Sequence, residues 1–241
     1  MPTRRKPARP AERGGSDIWK NHDPPIKTGP IDHRHSLETV RFLTRTQYRM
    51  HRPDATQVEP KELIRVLNRS NVKFVLMGQH GISGWLSEPR ATRDVDVVVQ
   101  KRHHAKAVRA IQAAWPELVK KEFPVVTRFL DPANHEPVID VMRPNDVYAE
   151  AFKNCVRIGK THDVPNLELA LAAKFAAMVS RNRERAKKYF DAGDFSQIVL
   201  RNHADIDYDR LRQLGDAVYS GGGKELARFV ADVKSGKPLR L

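Results

Sequence analysis

The run Asp94-Val-Asp-Val-Val-Val99 carries two carboxylates two residues apart inside an otherwise apolar segment. In an extended strand residues i and i+2 share a face, so both acids point the same way, about 6 to 7 Å apart along the chain. The run begins 16 residues after Gly78, which closes a second apolar stretch, Val72-Lys-Phe-Val-Leu-Met-Gly78. A third acid, Asp140, interrupts Pro137-Val-Ile-Asp-Val-Met142. A carboxylate in a strand that is otherwise core is costly unless it is paired, hydrogen-bonded or metal-bound. If the strand of Asp140 lies beside that of Asp94 and Asp96, three anions face one point, which like charges tolerate only with cations between them.

All-oxygen donors of this kind suit Mg²⁺, which usually keeps several waters and bridges to substrate phosphates. Two such ions can bring an attacking hydroxyl onto phosphorus and stabilise a leaving pyrophosphate. Gly78, with no side chain, lets the chain turn sharply after its strand and lets a triphosphate approach the amides that follow.

Working outward, Pro60 opens a short helix with Leu63, Ile64, Val66 and Leu67, and Val72 to Met77 reads as a buried strand. Gly78-Gln-His-Gly81 then leads into a short helix over Ile82 to Leu86. Beyond the acidic strand, His103 to Trp115 reads as a helix, and Val125 to Leu130 and Pro137 to Met142 as two strands that can pair antiparallel through Asp131 to Glu136. Upstream, Ser36 to Met50 has helical spacing. From Asn166 the pattern is helical: Leu167 to Met178, Arg181 to Leu200, Asp207 to Tyr219 and, after Gly221-Gly-Gly223, Lys224 to Val233. The expected fold is α/β or α+β, a small mixed sheet followed by a C-terminal helical domain. The expected division is a basic tail over 1–32, an α/β domain over 33–155 and a helical domain over 156–241, with the second boundary inside 150–165.

Forty-three Lys and Arg against twenty-nine Asp and Glu leave +14 at pH 7 in 241 residues, a balance that favours polyanionic partners and excludes nothing about the fold. Residues 1–32 hold six of the sixteen prolines and the run Arg4-Arg-Lys6, as expected of a poorly ordered tail that touches phosphates or aids solubility. The single cysteine, Cys155, excludes an intramolecular disulfide and a cysteine-rich zinc site, and reads as a small buried hydrophobe in a reducing compartment. No apolar stretch has the length of a membrane helix and no secretory signal is expected, so cytoplasm is the default location.

The order Gly78, then Arg90-Ala-Thr-Arg-Asp-Val-Asp96, then Asp140 resembles the minimal nucleotidyltransferase fold related to DNA polymerase beta, and looks most like the abortive-infection type nucleotidyltransferase toxins and their relatives. The resemblance spans roughly residues 60 to 200. It implies that Asp94 and Asp96 bind metal and that Asp140 activates an acceptor hydroxyl, with Gly78, Gln79, His80, Arg90 and Thr92 lining the nucleotide site. Lys174, inside Leu167-Glu-Leu-Ala-Leu-Ala-Ala-Lys-Phe-Ala-Ala177, stands where those relatives carry a lysine facing phosphates. Lys187-Lys-Tyr-Phe-Asp-Ala-Gly-Asp194 matches their basic residue and aspartates spaced by three, here Lys188, Asp191 and Asp194. The family usually has glycine followed by glycine or serine where this chain has Gly78-Gln79. What the resemblance implies is a transferase that uses Mg²⁺ (two ions) and a nucleoside triphosphate donor. The basic balance favours an RNA acceptor such as a transfer RNA end, while a protein or antibiotic-like acceptor stays open, as does an antitoxin partner.

Each residue also has a plainer reading. Thr92 can hold the loop before the strand, and Arg90 and Arg93 can be surface charges. Lys174 can be a lysine at a helix edge with its head in solvent. Lys188 and Asp191 can pair across one turn, locking helices to the sheet. His80 can cap or pack its turn rather than carry a proton, and the other histidines, His103 and His104 among them, read as surface residues. Two further functions remain open: a non-catalytic RNA- or protein-binding module on the same fold, for which Gln79 speaks, and a metal-dependent nuclease.

Overall fold

The two apolar runs on either side of residues 78–94 form β1 (Phe74–Leu76) and β2 (Val95–Val99), paired antiparallel with Leu76 opposite Val97. The computed structural model describes residues 32–239, so the expected basic tail falls almost wholly outside the described residues. β3 (Val119–Glu122), β4 (Val126–Leu130) and β5 (Pro137–Met142) continue the sheet, and β6 (Cys155–Ile158) and β7 (His162–Pro165) close its other side. The seven strands lie in the order β3-β4-β5-β2-β1-β7-β6. β5 is parallel to β2 and antiparallel to β4, which makes the sheet mixed. β3, β6 and β7 were not expected. The sheet therefore runs past residue 155.

Side-chain alternation divides the sheet between two layers. Val95, Val97 and Val99, with Phe129, Ile139 and Val141, face α2 (Pro60–Arg69) and α4 (His104–Ala114), which bury Leu63, Leu67, Ala107 and Ile111 against them. The other face, with Val75, Val98 and Met142, meets the C-terminal helices α5 (Leu167–Val179), α6 (Arg185–Asn202), α7 (Tyr208–Val218) and α8 (Gly222–Lys234). Because Asp96 shares a face with Val98, and Asp140 with Met142, the acids stand on the side that the C-terminal helices cover. Gly221, at φ +87°, takes the left-handed turn between α7 and α8, while Gly222 and Gly223 belong to α8. A Cβ on Gly223 would meet the Arg212 carbonyl oxygen at 2.2 Å, so glycine there permits the helices' close approach.

α1 (His33–His51) and the short α3 (Gly78–Ile82) complete the described α-helices, with α3 starting at Gly78 itself. Among the described residues no helix is long and apolar enough to cross a membrane. Several histidines depart from the surface placement expected of them. His33 and His162 are buried, the former edge-on to Trp85 with ring centroids 5.6 Å apart. His103 Nδ1 accepts from the Lys73 N–H at 2.9 Å. Cys155 is half-buried rather than buried, because β6 forms an edge of the sheet.

Candidate metal centre

Pairing register creates the acidic cluster. Asp96 on β2 lies directly opposite Asp140 on the parallel strand β5, so the two carboxylates stand side by side on one face. Asp94, just before β2, is held toward them by the Thr92 hydroxyl, which donates to its Oδ1 at 2.9 Å. Carboxylate oxygens of Asp94, Asp96 and Asp140 all lie within 4.8 Å of one another. Loss of solvation pushes Asp96 well above the usual carboxylate range, and the charges of Asp94 and Asp140 push it further. Burial also raises Asp140, against the opposing pull of Arg128. Three converging hard oxygen donors, two of them destabilised as anions, fit a divalent cation such as Mg²⁺.

Gly78 borders this cluster. Its φ is +56°, and a Cβ there would stand 1.9 Å from Asp96 Oδ2. The glycine thus clears the space that the Asp96 carboxylate fills. The Met77 N–H donates to the Asp96 carbonyl oxygen at 2.8 Å and fixes the chain just before that turn.

Arg128, on β4 opposite Asp140, donates from Nε at 2.8 Å and from a terminal nitrogen at 2.6 Å, one bond to each Asp140 oxygen. This planar two-point clamp is specific to a guanidinium. Sequence reasoning missed Arg128. The available signal was a cation in the otherwise apolar strand Val126-Thr-Arg-Phe-Leu130, one turn before the strand of Asp140.

A second network faces the cluster from the helices. Lys174 on α5 is buried and donates to Asp191 Oδ1 at 2.9 Å and Asp194 Oδ2 at 2.7 Å, both on α6. Arg90 clamps Asp194 at 3.1 and 2.9 Å, and Arg183 holds Asp191 at 2.8 Å. Burial alone would raise the Asp194 carboxyl, yet Lys174 and Arg90 hold it below its ordinary range. Gln79 is buried with its amide turned to donate to Asp194 at 3.2 Å and accept from the Arg90 N–H at 3.3 Å. It therefore ties α3 to this network. Three cations and two carboxylates leave a positive excess, and the charges of Lys174 and Arg183 act on Asp96.

The remaining expected residues divide. Lys188 makes no ion pair with Asp191 among the described residues, since Asp191 is already taken by Lys174 and Arg183. Lys174 is not a solvent-directed lysine at a helix edge, because two carboxylates enclose its ammonium. Arg93 pairs with Glu136. His80 is buried, its Nδ1 has no partner among the described residues, and burial depresses its pKa to about 4, so it packs the turn as a neutral ring.

No protein-family model and no curated protein matches the chain. Among solved structures, it is similar to an antigenic nucleotidyltransferase-like protein from Paracoccidioides brasiliensis, at 14% identity and a TM-score of 0.42, covering 70% of this chain and 89% of that one. It is also similar to ANT(2")-Ia in complex with adenylyl-2"-tobramycin, at 14% identity and a TM-score of 0.36, covering 73% of this chain and 95% of that one. At that level nothing about activity follows from either.

Proposed function

We propose that the chain is a Mg²⁺-dependent nucleotidyltransferase that moves a nucleoside monophosphate from a nucleoside triphosphate to a hydroxyl and releases pyrophosphate. The observation that carries this reading is the convergence of Asp94, Asp96 and Asp140 within 4.8 Å, beside Gly78. In this reading Asp94, Asp96 and Asp140 hold the metal, two ions when fully loaded. Bound Mg²⁺ supplies charge neutralisation for the triphosphate and a lowered pKa for the acceptor hydroxyl.

The chain's own residues do the rest. Asp140 accepts the hydroxyl proton when the Arg128 clamp loosens from one of its oxygens, and the positive excess of Lys174, Arg90 and Arg183 draws the triphosphate toward the helical side. Gly78 keeps the approach to Asp96 open, and Thr92 aims Asp94. Gln79 and His80 serve by holding the turn, whereas Lys188 is left free for polyanion contact at the rim. The sheet then carries the chemistry, and the helices from Leu167 onward, with Arg90, carry the cationic wall.

The basic balance of +14 supports an RNA acceptor, with a transfer RNA end as one form. A toxin-like role with an antitoxin partner belongs to the same proposal. Incubation with alpha-labelled triphosphates, Mg²⁺ and total cellular RNA tests it: label enters RNA with the intact chain and not with Asp94→Ala plus Asp96→Ala. Equal labelling by both rejects the assigned residues. Growth arrest on expression of the intact chain, absent with the double variant, tests the toxin-like role.

One observation favours a second reading. Both Asp140 oxygens already accept from Arg128, and Lys174 is already matched by two carboxylates. A non-catalytic binding module would keep such a self-satisfied site. It would show no metal-dependent affinity for any nucleoside triphosphate.

A further inference from the structure

The pairing registers extend the acidic row outward. Asp96 stands beside Asp140, Asp140 beside Arg128, and Arg128 beside Lys121, on β2, β5, β4 and β3. Directly paired residues share a face, so the four side chains form one line from the carboxylate cluster to the free edge of the sheet. With strands about 4.8 Å apart the line is about 14 Å long. Its sign changes halfway, two carboxylates giving way to two cations.

The far end of the line is open. Lys120 and Glu122 pair with each other at 2.9 Å on the face opposite Lys121, since alternate residues of a strand point to opposite sides. Lys121 is exposed and makes no ion pair among the described residues. At the turn between β3 and β4, Phe123 is 43% exposed and Val125 53%. The Arg128 guanidinium lies 5.8 Å from the Phe123 ring centroid, and Arg143 donates to the Phe123 carbonyl at 2.7 Å, pinning the turn. A ring held in place yet left open, flanked by cations, is the combination that binds single strands: any base stacks on the ring, and phosphates follow the charges.

We propose that the β3–β4 hairpin receives the acceptor, a single-stranded RNA whose base near the reacting end stacks on Phe123 while its phosphates follow Lys121 and Arg128 toward the carboxylates. This rests on the nucleotidyltransferase reading of the cluster. A polycationic small molecule would meet Lys121 and Arg128 as repulsion, and a duplex offers no unstacked base to the ring. Arg128 then has two anionic partners to choose between, the Asp140 carboxylate and the entering phosphate.

Fluorescence anisotropy with a short single-stranded RNA in chelator tests the surface apart from catalysis. The full chain is compared with Phe123→Ala, Lys121→Gln and Asp94→Ala plus Asp96→Ala, thermal midpoints serving as the folding control. Phe123→Ala weakens binding about tenfold or more. Lys121→Gln lowers the slope of log affinity against log salt by about 0.7. The carboxylate double variant, relieved of two anions at the end of the phosphate path, binds RNA at least as tightly as the full chain, and a blunt duplex binds without dependence on Phe123. Unchanged affinity and salt slope in both hairpin variants overturn the proposal, whatever the transfer assay gives. Hairpin-dependent binding without any label transfer upholds the landing surface and removes the transferase reading instead.

Discussion

The Oδ2 atom of Asp96 lies 1.9 Å from the point where a Cβ on residue 78 would sit. Gly78→Ala therefore forces the Asp96 carboxylate out of the cluster and also places a side chain at φ +56°, a conformation costing about 1 to 2 kcal/mol for an L-residue. The variant should melt earlier and lose Mg²⁺-dependent stabilisation in the same thermal scan. Adding Asp96→Ala should restore part of the lost stability without restoring the metal response. Strictly additive losses in the two single variants and the double would show that the collision is not the cause.

The same contact marks where sequence reading works. Apolar runs broken by carboxylates at Asp94, Asp96 and Asp140 name the strands and the acids, because burying such groups without a partner is costly. The helices from Leu167 onward follow from their apolar spacing. β3 was illegible because Val119-Lys-Lys-Glu122 is an edge strand with three exposed polar residues and so lacks alternation. β6 and β7 were hidden in a stretch with His162, Asp163 and Arg157, whose polar groups are matched only in the folded hairpin, Arg157 to Asp163 at 3.1 Å. Arg128 and Arg183 were missed as site neighbours for one physical reason. Their partners are set by cross-strand register and helix packing, which local spacing does not encode.

Lys174 is the keystone of the helical side, since its ammonium bonds both Asp191 and Asp194. Replacing it with methionine leaves two buried carboxylates with Arg183 and Arg90 alone. Lys174→Met should destabilise the chain by about 3 kcal/mol in urea unfolding, with transfer activity lost as well. A lysine whose only task is phosphate contact would instead leave unfolding unchanged while activity falls.

His33 and His162 make stability sensitive to acid. Burial pushes both down to about 4, and His162 adds to the shift of His33. A lowered folded value means the unfolded chain takes up protons first. Stability is therefore full above the ordinary value of 6.5 and falls as pH drops from 6.5 toward about 4, by up to about 1.4 kcal/mol per pH unit for each group. Among the described residues His33 has no hydrogen-bond partner on either nitrogen, and it stands edge-on to Trp85. His33→Phe keeps the ring contact and should flatten this part of the pH profile by about one proton's slope. An unchanged slope in urea midpoints measured across that range would show that His33 is not a source of it.

Asp96 titrates in the opposite sense. Its raised carboxyl value means the folded, metal-free chain holds the proton more tightly than the unfolded chain does, so this group's stabilising share grows as pH falls through its folded value. Once ionised it is instead a source of repulsion: carboxylates within 4.8 Å repel by on the order of 3 kcal/mol at an effective dielectric of about 20. Asp96→Asn should therefore raise the thermal midpoint of the metal-free chain while abolishing the shift produced by Mg²⁺. In the unaltered chain the Mg²⁺-induced shift should grow with pH, because binding competes with protonation of the raised Asp96 carboxyl. Calorimetry in buffers of different ionisation enthalpy should register that proton's release. A midpoint that falls in Asp96→Asn, with the Mg²⁺ shift intact, would mean that this carboxylate supports the fold and not the metal.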